Sequence, residues 1–505
     1  MIRVTADGWR CGGAVIVVVS AVAALPARGD QPQWGERFTR NMVSAETGLV
    51  DDFDPETGRN VKWSVPLGTS YATPVISQGR IFIGADNSAP RDDRHRGDRG
   101  VLYCLDEADG SFIWQLVVPK LEGDVYLDWP GAGICSPATV EGDRVYVVTN
   151  RAEVVALDIE GMANGNTGPF QEEGWHMALR DEPPMEPGPT DADIVWRTDM
   201  REAVGMYPHD SAHSSILLHG DYLYLNTGNG VDNTHVNIRA PDAPSLIVLD
   251  KHTGRVVAAD EERLGPRIFH CTWSSPAMAE VGGRELVFFG GGDGVVYAFA
   301  ALAPGLSSGP VRGLERAWLF DPDPTAPKEN VHEYNRNREV SPSTIQSMPV
   351  YHDGRLYVTV GGDMWWGKRE AWLKCIDVDG EGEITGTHEA WSYDLNLHSC
   401  VTPAVHEGLV FVGDNGRTFH CVDAATGEAL WTHQLRGDIW ASPLVADGKV
   451  YIGCRRGEFA VFEAAAEKRL LAQRNLGDPI NAAAVAANGT LYVTTQTTLY
   501  ALAAE

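Results

Sequence analysis

Apolar and polar positions along the chain alternate in short bursts that recur eight times. Each burst opens on a small residue and usually a proline, reaches a glycine about five residues later, and runs on into β-branched or aromatic residues. The copies read TPVISQGRIFIG from Thr73, SPATVEGDRVYV from Ser136, SSILLHGDYLYL from Ser214 and SPAMAEVGGRELVFF from Ser275. They continue as MPVYHDGRLYV from Met348, TPAVHEGLVFV from Thr402, SPLVADGKVYIG from Ser442 and AAVAANGTLYV from Ala483. Period-two alternation predicts strands, and the Gln-Gly, Asp-Gly and Asn-Gly pairs predict tight hairpins, whose central residues need a positive φ. The extra residue before the fourth turn predicts a bulge there.

A third apolar run follows each hairpin and ends near Asp, as in VLYCLD (101–106), EVVALD (153–158), SLIVLD (245–250) and FHCVD (419–423). A Thr-Gly or Asp-Gly turn then leads to a fourth run that in six units carries Trp: Trp63, Trp114, Trp196, Trp318, Trp391 and Trp431. Ala258 and Leu471 are expected to replace it in the other two. Four antiparallel strands in repetition predict the blades of a propeller. DPETGRNVKW (54–63) is a fourth strand with no blade before it, and the last unit has three strands. The expected architecture is therefore all-β: a single eight-bladed propeller over 54–505, its ring closed by the N-terminal strand completing the C-terminal blade. An N-terminal extension covers 30–53.

Residues 1–29 read as a signal peptide, with Arg3 and Arg10 before an apolar run from Cys11 to Leu25 and small residues at Ala27 and Gly29. The run is too short to span a bilayer, so export to the periplasm or outside the cell is expected, with no membrane span after cleavage. The 505 residues carry a formal net charge of −28. That charge argues against nucleic acid and against anionic lipid surfaces as partners. A monomer is expected.

The repeated SP-x4-G-x-VYV and ALD-x-x-TG-x-x-x-W patterns resemble the PQQ-like (pyrroloquinoline-quinone-type) β-propeller repeat of the quinoprotein alcohol dehydrogenase-like superfamily. The resemblance covers about Trp34 to Leu502. It implies the propeller fold and, in the quinoprotein alcohol dehydrogenases, PQQ with Ca²⁺ on the axis; other members bind no cofactor. The adjacent cysteine pair of those dehydrogenases is missing here, as is a C-x-x-C-H haem motif. The cofactor is left open.

Repetition separates blade chemistry from site chemistry. Cys104, Cys375 and Cys421 share one repeat position, whose other occupants include Ala156 and Val248, and read as small core residues. Counting back from the proline position, two rows alternate on one face of the innermost strands and line the channel. The row three before includes Tyr71, Trp273, Gln346, Cys400 and Trp440; the row five before includes Asp210, Cys271, His398 and Asp438. Tyr71, Trp273, Gln346, Trp440 and Asp438, with Arg336 from a loop, are the cofactor-contact candidates. His209, Asp210, His213, His270, Cys271, His398 and Cys400 are the metal candidates, because His and Cys ligate Cu, Zn or Fe. His209, His213, His270 and His398 are also the candidate catalytic groups.

The long loops fall on one face, called the top, and belong to the first five blades. They carry Tyr207, Asn233, His235, HEYNRNRE (332–339) and GGDMWWGKRE (361–370). One insertion, 159–195, is expected on the bottom face. The leading expectation is a propeller that binds a ligand or partner protein through its elaborated top face. The alternatives are a periplasmic oxidoreductase, of quinoprotein type or with a His/Cys metal site, and a glycan binder using Trp365 and Trp366.

Overall fold

The structure is a computed structural model that describes residues 29–210 and 212–504. The signal segment lies outside them apart from Gly29. Eight sheets of at least four strands form the ring. The first blade comprises Val75–Ser77, Arg80–Asp86, Arg99–Asp106 and Phe112–Pro119, paired in that order. The eighth comprises Val485–Ala487, Thr490–Thr494 and Thr498–Leu502, and its outer strand is Val61–Pro66 from the start of the chain. This seam joins Trp63 to Ala501 in antiparallel register, so neither terminus leaves an open edge. Among the described residues no helix is long and apolar enough to cross a membrane.

The turn chemistry follows the dipeptides. At Asp353-Gly354 and Asn488-Gly489 both central residues have positive φ, the geometry of a two-residue hairpin that matches strand twist. The bulge expected at the fourth hairpin is not there. Ala277–Val281 and Arg284–Gly290 pair regularly, and the extra length goes into the strands. Register shifts recur instead between third and fourth strands, as between Cys104 and Leu105 or Cys421 and Val422.

These shifts sit beside the repeated Trp and explain the repeat. Trp114 pairs with Cys104, Trp391 with Cys375 and Trp431 with Cys421, so a small residue faces each indole. The indole N–H then reaches the next blade: Trp114 donates to Ile159 O at 2.9 Å and Trp196 to Lys251 O at 3.0 Å. Trp391 donates to Ala424 O at 3.0 Å, and Trp63 closes the seam on Glu107 O at 3.2 Å. Each of these four acceptors directly follows the Asp that ends a third strand. In the seventh blade the equivalent position is Ala472, opposite Val461, rather than Leu471.

The N-terminal extension has a role its sequence does not announce. Within a dozen residues it passes beneath the inner ends of the blades. Gln31 O accepts from Ile76 N, Pro32 O from Val140 N, Phe38 O from Met278 N, Thr39 O from Tyr351 N and Met42 O from Val445 N. Arg40 is fully buried at the centre of this plug, donating to Pro276 O, Trp34 O and Ser215 O and Oγ at 2.8–3.3 Å. Burial pushes the guanidinium down to about 9, still protonated at neutral pH.

The insertion at 159–195 departs from its expected place. It leaves the second blade at the bottom but climbs the outer edge of the first, pairing Asp191 with Gln115. It reaches the top loops, where Arg180 meets Glu122 at 3.0 Å and Arg94 meets Asp191 at 2.9 Å.

Candidate metal centre

The top loops of the first five blades converge on three histidines. His209 follows the short helix Met200–Val204, between the second and third blades. His235 lies in the loop between Tyr222–Asn226 and Leu246–Asp250 of the third blade. His270 precedes the fourth blade, ahead of Ala277–Val281. All three are buried, and one ligand nitrogen of each lies within 4.8 Å of the other two.

Each ring is turned by an oxygen. His209 Nδ1 is 2.6 Å from Val231 O, His270 Nδ1 is 2.9 Å from Asp363 Oδ2, and His235 Nδ1 is 3.3 Å from Asn233 O. His209 Nε2 and His270 Nε2 then face each other at 2.9 Å. A metal-binding imidazole needs this arrangement: one nitrogen donates outward and fixes the tautomer, and the other keeps its lone pair for the ion. Asp363 is itself held by the Trp365 and Trp366 amides at 3.0 and 2.9 Å and by Gln346 Nε2 at 3.2 Å.

Electrostatics sort the rings. Burial, helped by the neighbouring His270 and His235, pushes His209 down to about 3. Burial and then His270 push His235 down as well. Burial works against a charge on His270, but Asp363 outweighs it and holds this imidazole above its ordinary value. Asp210 adds an orphan: its Oδ1 is buried with no hydrogen-bond partner, 3.6 Å from His209 Nε2, and burial pushes the carboxyl up to about 6. Asp210 and His235 both hold a positive φ, at 65° and 57°, a conformation side chains other than glycine adopt infrequently.

Aromatic rings wall the cluster. Tyr126 stacks on His209 with centroids 5.5 Å apart, and Trp366 lies 4.6 Å from His235 with Arg336 over the same indole at 5.2 Å. Trp365 stands edge-on to His270, Trp273 and Trp440 at 5.3, 5.4 and 6.2 Å and keeps 38% of its surface exposed. It reaches across the channel mouth from a loop of the fifth blade to rings of the fourth and seventh.

Of the sequence candidates, His209, Asp210 and His270 come together, and Gln346 joins them through Asp363. His213 stacks on Trp273 at 6.0 Å instead. Cys271 is buried with its thiol toward Gly228 O and His209 O, and burial holds it protonated. His398 and Cys400 lie at the entrance to the sixth blade, outside the cluster; burial pushes them to about 4 and about 12. Tyr71 accepts from Gln496 at 3.2 Å. The row residues Tyr71, Trp273 and Trp440 precede the innermost strands rather than lying on them, because those strands are only three to five residues long. His235 and Asp363 were not among the metal candidates; they sit in the elaborated loops, outside the repeat rows.

The far side of the mouth is basic. Arg417, Arg436, Arg455 and Arg456 surround a cavity of about 220 Å³ with Gly437 and Asp438. Arg455 lies over Trp440 at 4.0 Å, and Asp438 is 4.0 Å from Arg417 Nε.

The family described as outer membrane protein assembly factor BamB matches residues 46–231 and 369–470, together more than half of the chain. His235, His270 and Asp363 fall between the two matched stretches. BamB from Moraxella catarrhalis superposes with a TM-score of 0.51 at 13% identity, covering 87% of this chain and 96% of that one. The quinohemoprotein alcohol dehydrogenase from Comamonas testosteroni superposes with a TM-score of 0.55 at 13% identity, covering 95% and 81%. At such identity the likeness is one of fold. No curated protein sequence matches the chain.

Proposed function

This chain belongs to the BamB family of PQQ-like propellers, and we propose that it is an exported propeller binding a transition-metal ion through His209, His235 and His270. The family carries the scaffold, not the chemistry, since one fold hosts many jobs. The observation that carries the reading is the convergence of three buried imidazoles whose Nδ1 atoms all face oxygens, two of them with Nε2 atoms 2.9 Å apart. Two bare lone pairs at that distance repel; a metal ion that both nitrogens ligate relieves the contact, as does a second proton on His270.

Imidazole donors suit Zn, Cu, Fe or Ni rather than Ca²⁺ or Mg²⁺. Asp210, with its orphaned oxygen, is the natural fourth donor. When bound, the ion supplies Lewis acidity at a mouth open on one side only. The guanidiniums across the mouth favour an anionic small ligand, a preference that the net charge of −28 elsewhere makes local. The signal-like segment at the start of the chain supports export, and with it access to ions outside the cytoplasm.

The test is the metal content of the mature protein, purified from the exported fraction without chelator. The expected result is an equivalent of zinc, copper, iron or nickel that is lost in His270→Ala and in His235→Ala. Metal content unchanged by either substitution overturns the reading.

A further inference from the structure

A second cluster lies on the outer flank, where the top loop of the first blade meets the climbing insertion of the second. His95 is 1% exposed, and neither of its ring nitrogens has a hydrogen-bond partner. Asp191 is fully buried, with Oδ1 equally unpartnered. Asp92 Oδ2 stands 4.0 Å from His95 Nε2. One ligand atom from each of Asp92, His95 and Asp191 lies within 4.8 Å of the others.

The surroundings are built rather than accidental. Arg94 holds Asp92 Oδ2 at 2.7 Å through Nε and Asp191 Oδ2 at 2.9 Å through a terminal nitrogen. Asp191 Oδ2 also accepts from Gly188 N at 2.7 Å, so the carboxylate is locked with its other oxygen facing inward. The backbone of His95 is tied by Asn87 Nδ2, which donates to His95 O at 2.8 Å. Arg94 faces both carboxylates, and Arg99 is the other cation acting on His95. A cavity of about 320 Å³, lined by Asn87, Pro90, Asp93, His95, Arg96 and Gly97, gives access. Buried polar atoms without partners each cost roughly 1–3 kcal/mol, and here a nitrogen and a carboxylate oxygen share that cost at one point.

We propose that Asp92, His95 and Asp191 bind a divalent transition-metal ion, zinc by the character of the donors, which clips the insertion at 159–195 to the first blade. One imidazole nitrogen and two carboxylate oxygens are a donor set zinc accepts, and roughly 3.4 Å separates neighbouring ligands around tetrahedral zinc at ordinary bond lengths. Small side-chain rotations reach that spacing. Arg94 serves the carboxylates from outside, as hydrogen-bond donors commonly do around metal ligands. The clip is independent of the histidines at the channel mouth.

The two sites separate experimentally. Zinc alone is titrated into chelator-stripped His270→Ala protein, in which the channel-mouth site is disabled. The expected result is one equivalent bound, lost in His270→Ala/His95→Gln and in His270→Ala/Asp191→Asn. Zinc should also slow protease cleavage within 159–193 in wild type and in His270→Ala, but not in His95→Gln. Should either double variant fail to fold, the protease readout on the single His95→Gln variant decides. Zinc uptake or protection unchanged by His95→Gln overturns the clip. Failure of the channel-mouth reading shows instead as metal content unaffected by His270→Ala in the otherwise native chain.

Discussion

His209 Nε2 and His270 Nε2 face each other at 2.9 Å, each ring turned outward onto an oxygen. His209 Nδ1–H donates to Val231 O, and His270 Nδ1–H donates to Asp363 Oδ2. A second proton on His270, favoured by Asp363, or a metal ion relieves the contact. The two differ in what Asp363 does: it stabilises a charge in one and orients a ligand in the other.

Asp363→Asn therefore tests the orienting role. The carboxamide keeps the shape but weakens the bond to His270 Nδ1 and the basicity of the ring. Metal affinity, read by competition with a chelator, is expected to fall about 10–100-fold, the usual effect of losing such a partner. His270→Ala should lose binding altogether. An Asp363→Asn affinity equal to wild type would show that the carboxylate serves the loop carrying Trp365 and Trp366 rather than the ion.

The plug gives a stability prediction. Arg40 is fully buried, and its guanidinium satisfies three carbonyls and the Ser215 hydroxyl. Arg40→Met keeps much of the stem but leaves these acceptors facing an apolar chain. The expected cost is at least about 1–3 kcal/mol, the penalty for a buried acceptor left unpaired. It is read as a lower denaturant midpoint at unchanged slope. An unshifted midpoint would mean that the extension adds nothing to the ring.

Trp114 is fully buried and bridges the first two blades through Ile159 O at 2.9 Å. Trp114→Ala should cost about 3–5 kcal/mol, as large aromatic truncations in cores do. Trp114→Phe should recover most of the packing but not the inter-blade hydrogen bond. Equal stability of the Ala and Phe variants in chemical denaturation would contradict the packing argument.

Acid should act through Glu153. Burial disfavours its charge, but His176 at 2.9 Å, with Arg151 and Arg197, outweighs burial and holds the carboxyl well below its ordinary range. A depressed folded value means that the unfolded chain binds the proton first. The contribution is thus complete above the unfolded value of about 4.3 and is lost progressively as pH falls below it. Glu153→Gln should cost about 3–5 kcal/mol at neutral pH, because it removes the buried carboxylate that Arg197 and Arg151 face and that His176 meets at 2.9 Å. It should also flatten the acid limb of the stability profile; an acid limb as steep as that of wild type would exclude Glu153 as its source.

The fold was legible because the repeat states its physical requirements again and again, the hairpin in all eight units and the Trp in six. The Gly pairs set the hairpins, and Trp with a small residue opposite sets the blade contacts. The site was legible only in part. His209 and His270 stood out because they break the pattern beside the channel rows. His398 and Cys400 met the same criterion, yet they belong to another sector of the ring: a repeat position gives height and face, not which blades a loop will draw together. His235, Asp363 and Tyr126 come from insertions, which have no equivalents to compare. Arg40 lies outside the repeat, and nothing local in its sequence says that it will be covered on every side. The insertion at 159–195 was misplaced because its starting point fixes the bottom face, while its path depends on partners such as Gln115 and Arg94.

The basic side of the mouth yields the last prediction. Among the described residues neither Arg455 nor Arg456 has a carboxylate partner, although acidic residues outnumber basic ones by 69 to 41 in the whole chain. Such charges stay uncompensated at little cost when solvent reaches them, and a ligand that brings its own anion gains from all of them at once. Arg455 is also held in place on the Trp440 face at 4.0 Å, so less freedom is lost on binding. Sulfate, as a minimal probe, should bind in this cavity and perturb Trp440 fluorescence, weakly at high chloride because the interaction is screened. Arg455→Gln should weaken binding about tenfold or more, the scale of one charge-assisted hydrogen bond. Removing metal with chelator should leave this binding in place, since the arginines reach the anion without the ion. Sulfate affinity that ignores Arg455→Gln would place the anion elsewhere and leave the four guanidiniums as surface charge.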